Sequence, residues 1–147
     1  ASIRVAEVWH SSWEIFRSWG APMAWWLAAD PDLIPVGGSD YHRHGADGLP
    51  GTPTTWVACA DPGGSDVLDG ITAGRTAVSR GPVGPVLLRI DDELVAVDAE
   101  GLALTSPRRQ RFTVHAPWQG WGGSMFAADA GPWWLEGPGL EIFALTR

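Results

Sequence analysis

The chain has 147 residues, 45% of them hydrophobic and ten of them tryptophan, so it has the means to bury a core and is not a disordered polymer. Its formal charge is −7, with ten arginines and no lysine. The arginines are scattered apart from Arg108, Arg109 and Arg111, so no basic stripe is present to hold nucleic acid, and no apolar run is long enough to span a bilayer. The single cysteine, Cys59, has no internal partner for a disulfide or a zinc knuckle. It reads as a small buried hydrophobe, which favours a cytoplasmic location.

The first segment, Ala1 to Trp9, reads directly as a strand, with no charged leader or cleavage site before it. The chain thus reads as starting mid-fold, as a processed product, a cloned piece or the end of a longer gene would. Ile15, Phe16, Trp19, Met23, Trp26 and Leu27 follow at mostly helical spacing, after Ser11 or Ser12 as a cap. Gly20-Ala21-Pro22 splits that stretch into two helical pieces, because proline fits a first turn and not a helix interior.

Leu33 to Val36 predicts a short buried strand running into Gly37-Gly38-Ser39-Asp40-Tyr41-His42. If the chain stays extended, Asp40 and His42 lie on one face and offer a carboxylate and an imidazole to a single cation. Beyond a glycine-rich loop, Thr54 to Cys59 has strand composition, Ser65 to Gly74 reads as a serine-capped helix with a glycine stop, and Thr76 to Ser79 is another strand. Strand and helix alternate, which is the signature of an α/β layer or barrel.

The pattern changes at Gly81-Pro82-Val83-Gly84-Pro85. Val86 to Ile90, Leu94 to Val97, Phe112 to His115 and Leu140 to Leu145 all read as strands, separated by turn signals such as Asp91-Asp92. Residues 83–147 are therefore expected to form an all-β appendage to a first unit, residues 1–82.

Four ordered motifs now stand together: Glu7-Val8-Trp9, Gly-Gly-Ser-Asp-Tyr-His at 37–42, Gly-Thr-Pro-Thr-Thr-Trp-Val at 51–57, and Ala-Gly-Arg-Thr-Ala-Val-Ser-Arg-Gly-Pro at 73–82. Their order resembles the polymerase and histidinol phosphatase (PHP) superfamily, in its carbaryl-hydrolase-like branch. The resemblance implies an α/β fold: the C-terminal part of a distorted (β/α)7 barrel, here followed by the small all-β appendage. It implies two or three divalent metal ions, zinc, manganese or iron, at the strand ends, with a bridging hydroxide as nucleophile toward a small-molecule ester, carbamate or phosphoester. Asp40 and His42 match the family's last metal-binding pair. The early His-x-His pair and the other ligands of that family have no counterpart here, so the chain reads as part of a hydrolase. On this reading it is inactive without a missing N-terminal segment, and its uncovered surface favours self-association.

Other candidate residues keep two readings each. His10, just past the Glu-Val-Trp strand, approaches the substrate or caps the surface; Arg75 offers a planar fork to an anionic substrate or ties helix to strand. Glu7 is a carboxylate that orients a ligand or a partner in an edge ion pair. His44 reads as a solvated loop histidine sooner than a further ligand, and His115 as structural. The alternative function is a non-catalytic module in which Trp118, Trp121, Trp133 and Trp134 form a platform for carbohydrate or protein.

Overall fold

The computed structural model describes residues 4–11, 25–27, 32–45, 49–108, 110–115 and 123–147. Its described strands are β1 (Val5–His10), β2 (Ile34–Gly38), β3 (Thr54–Val57), β4 (Thr76–Ser79), β5 (Val86–Ile90), β6 (Glu93–Val97), β7 (Ala103–Thr105), β8 (Arg111–Thr113), β9 (Gly123–Ala127), β10 (Trp133–Glu136) and β11 (Ile142–Thr146). A helix, α1 (Gly64–Thr72), connects β3 to β4. Trp25 to Leu27 are also helical; Ile15, Phe16, Trp19 and Met23 of the expected helical stretch lie outside the described residues.

The expected α/β barrel is corrected by this architecture, in which strand accounts for 42% and helix for 11%. Among the described strands only β1 and β2 pair in parallel. A six-stranded sheet has the order β3-β4-β11-β10-β7-β8 and a three-stranded sheet the order β5-β6-β9, with every neighbouring pair antiparallel. The misreading has a definite cause. The strand-helix-strand run from Thr54 to Ser79 looks like a crossover, yet β3 and β4 are antiparallel neighbours, so α1 is an insert in a hairpin connection. The six-stranded sheet also draws β3 and β4 from before Pro82 and the other four strands from after it.

Both faces of that sheet are covered. On one side, Leu104, Trp133, Leu135 and Ala144 meet Leu87, Leu94 and Ala96 of the three-stranded sheet. On the other, Val78 and Leu145 join Val8, Trp9, Trp26 and Leu33. Along β10, Trp133 packs into the first cluster, Trp134 against the second and Leu135 into the first again. A strand buried on both faces loses the polar alternation that reveals strands in sequence, which is why β10 escapes the sequence reading.

Helix α1 starts one residue before Ser65, the serine expected to cap it, and Gly63 takes the cap position with no side-chain bond. The strand expected at Leu140 to Leu145 is shifted to Ile142–Thr146, because Gly137 and Leu140 close a turn in which Leu140 has φ 65°. Cys59 is exposed, against the expectation of a buried hydrophobe.

The parallel pair attaches to the large sheet through side chains. The Thr55 hydroxyl accepts from the Gly37 N–H and donates to the Gly37 carbonyl, each at 2.8 Å, while the Thr76 hydroxyl donates to the Pro35 carbonyl at 2.9 Å. Pro35 has no N–H to offer a ladder, so hydroxyls satisfy an edge that a continuous backbone ladder could not complete. The approach is close: a Cβ at Gly37 would lie 2.6 Å from Val78 Cγ1 and 3.2 Å from Pro53 Cγ.

Gly37→Ala is therefore expected to destabilise the fold by about 1–3 kcal/mol through overpacking. Gly64→Ala, where an added Cβ meets nothing within 4 Å, should be neutral or stabilise by up to about 1 kcal/mol. Urea unfolding of both variants checks the contrast.

Candidate functional site

Two parallel strands end side by side, and the chain's candidate polar groups gather just beyond them. His10 closes β1, while β2 ends at Gly38 and leads into Asp40 and His42. The Ser11 hydroxyl donates to the Ser39 carbonyl at 2.6 Å, which ties the two strand ends together. His10 Nε2 lies 3.3 Å from Asp40 Oδ2, and His42 Nε2 lies 2.8 Å from Asp40 Oδ1. One carboxylate thus has an imidazole beside each oxygen, and His42 donates to it in the tautomer that places the proton on Nε2.

The route by which Asp40 and His42 meet differs from the one expected. They do not alternate along a strand, because β2 has ended and Asp40 sits at φ 49°, in the left-handed region. A turn brings the carboxylate back to His42. Aspartate and asparagine are the non-glycine residues that best tolerate this backbone, since their short polar side chains bond locally.

The cluster is graded in exposure. The His10 side chain is 16% exposed, Asp40 51% and His42 69%. One imidazole is thus fixed in the protein and the other faces solvent. Glu7 lies next to this arrangement on β1: a Cβ at Gly38 would stand 2.5 Å from Glu7 Oε1, so the second glycine of the motif leaves room for that carboxylate.

Arg75 is not part of the cluster. Thr76 is level with Pro35 and Val78 with Gly37, so β4 runs parallel beside β2 and Arg75 sits at the far end of the strands. The length of β2, roughly 15 Å at about 3.3 Å per residue, separates it from Asp40. The same register places Ser79 and Arg80 at the end occupied by Asp40. Arg80, which the sequence reading passed over, stacks its guanidinium 5.6 Å from the Phe143 ring centroid. Its position in the Arg-Thr-Ala-Val-Ser-Arg run, five residues after Arg75, was the available signal.

No protein-family model, curated protein or solved structure matches this chain. The site is accordingly read from its own chemistry. Among the described residues no group of three His, Cys, Asp or Glu side chains is arranged to hold a metal ion. Both imidazoles face Asp40 in place of a shared centre. The donors themselves, two nitrogens and a carboxylate, are those an open zinc site uses.

His44 is exposed in the loop beyond His42, and His115 is exposed after β8. Of the four tryptophans considered as a platform, Trp133 is 2% exposed and belongs to the core. Trp134 is half-buried and donates its indole N–H to Glu136 Oε2 at 3.0 Å, while Arg111 pairs with the other oxygen of that buried carboxylate at 2.8 Å. Trp118 and Trp121 lie outside the described residues.

The left-handed backbone at residue 40 predicts a ranking of substitutions. Asp40→Asn should unfold within about 1 kcal/mol of the parent, whereas Asp40→Val should lose roughly 1–2 kcal/mol more, because a β-branched residue resists positive φ. Urea midpoints of the two variants measure the difference.

Proposed function

We propose that this chain carries one wall of a divalent-metal hydrolase centre, with His10, Asp40 and His42 as the donors and a small ester or phosphoester as substrate. The observation that supports it is the placement of two imidazoles, 32 residues apart in sequence, on the two oxygens of one carboxylate at adjoining strand ends. The resemblance of the motifs around residues 7–9, 37–42, 51–57 and 73–82 to the PHP superfamily points the same way.

The donor set fits a zinc, manganese or iron ion in kind and number, although the three groups are paired with each other in this structure. When bound, such an ion supplies a hydroxide at neutral pH and polarises the bond under attack. The protein's part is positioning. His10, mostly buried, is the inner donor; Asp40 is set by its turn; His42 meets Asp40 from the exposed side. Holding a cation through Nε2 would need the imidazole–carboxylate contacts to open and each Nε2 proton to move to Nδ1, a change of tautomer with no net proton released.

Three donors complete at most one mononuclear centre with water. A bridged multinuclear centre needs further carboxylates and imidazoles from another segment or another copy. In this reading the chain by itself holds an ion without fast turnover.

Titration calorimetry with zinc and manganese tests the proposal. The expected result is one equivalent bound, with affinity reduced at least about tenfold in His10→Ala, Asp40→Asn and His42→Ala. Absence of binding by the parent up to about 1 mM, or equal affinity in all three folded variants, would leave the cluster as a clasp that pins the turn. Hydrolysis of p-nitrophenyl acetate and p-nitrophenyl phosphate, followed with and without metal, then separates ester from phosphoester preference.

A further inference from the structure

Glu7, the single carboxylate of β1, lies outside the donor set of His10, Asp40 and His42. Among the described residues its side chain has no hydrogen bond and no ion pair, which sets aside the edge salt bridge that the sequence allows. Its position is nevertheless fixed by the strands. Glu7 is level with Val36 and Trp9 with Gly37, so β1 carries one residue more than β2 over this step, a β-bulge at Val8.

Regular alternation sends two residues three apart, such as Glu7 and His10, to opposite faces of a strand. The bulge reverses that. Val8 and Trp9 both turn inward, each 2% exposed and in one cluster with Val78, so Glu7 before them and His10 after them share the outer face. Gly38 presents the same face, because a Cβ on Gly37, the residue before it, would point at Val78. A Cβ at Gly38 would stand 2.5 Å from Glu7 Oε1, and Gly38 is level with His10. Glu7 thus leans forward along the sheet and brings its carboxylate to the level of His10, across a strand spacing of about 4.8 Å.

An imidazole that holds a cation through Nε2 carries its proton on Nδ1, and that N–H needs an acceptor to fix the ring. We propose that Glu7 is this acceptor, a positioning residue whose carboxylate takes the His10 Nδ1–H and holds the ring with Nε2 toward the cation. This role rests on the metal reading of the His10–Asp40–His42 cluster and extends it. The two glycines of the motif then have separate duties. Gly37 lets β2 reach the large sheet, and Gly38 clears the path of the Glu7 side chain toward His10.

The test uses the intact chain carrying isotopically labelled histidine, as parent and as Glu7→Gln. Zinc is titrated into both, with affinity read by calorimetry and the His10 ring by proton–nitrogen correlation spectra, assigned with His10→Ala. In the zinc-bound parent the His10 proton is expected on Nδ1, its resonance shifted downfield by the carboxylate. In Glu7→Gln that resonance should move upfield, and zinc should bind about tenfold or more weaker. Glu7 is exposed, so the substitution leaves the fold intact, and a thermal melt verifies it. Equal zinc affinity with an unchanged His10 signature would overturn the role of Glu7 while the metal reading stands. Weaker binding with an unchanged signature would make Glu7 a direct donor and overturn the positioning role. No zinc binding by the parent up to about 1 mM would overturn both readings.

Discussion

Two threonine hydroxyls and one missing side chain hold the two parts of this molecule in register. Thr55 satisfies both backbone groups of Gly37, Thr76 satisfies the carbonyl of Pro35, and the absence of a Cβ at Gly37 lets β2 lie against Val78. Each bond is ordinary in strength, worth about 0.5–1.5 kcal/mol net. Their importance is geometric. They set the level of β2 against β4, and that level decides that Asp40 emerges beside Ser79 and Arg80 while Arg75 stays at the far end.

The same contacts give the recurring glycines and threonines of the sequence motifs a structural account. Gly37 is required by the Val78 side chain, and Gly38 leaves room for the end of the Glu7 side chain. Thr55 and Thr76 complete an edge that proline interrupts. None of these four residues needs to touch a ligand in order to matter for the site, because each fixes where the strand ends deliver His10 and Asp40.

The six-stranded sheet acts as a central layer. Its covered faces make it rigid, with Val78, Leu104, Leu135, Ala144 and Leu145 each at most 1% exposed. A rigid layer can present a polar cluster at one end of β4 without disturbing the core. Burial also explains the side chains that do not reach solvent as the sequence implied. The buried Glu136 carboxylate has Arg111 on one oxygen and the Trp134 indole N–H on the other, which holds the Trp134 ring edge against the sheet.

The sequence by itself determined the local elements with strong signatures: the strand into His10, the strand before Gly37, the helix between Thr54 and Thr76, and the strands at Val86 and Leu94. Each is legible because propensity and turn residues agree over a short window. It also singled out Asp40 and His42 and put His10 among the candidates, from residue type and from position at the ends of expected strands. Tertiary structure alone decided the pairing. A helix between two strands reads the same whether the strands are parallel or antiparallel, so the barrel expectation followed from the order of elements and failed at the partner of β3. Strands covered on both faces, such as β10, lose the alternation that would have announced them. The meeting of His10 with Asp40, across 30 residues, depended on strand register and on a left-handed turn, and neither is a local property of the chain.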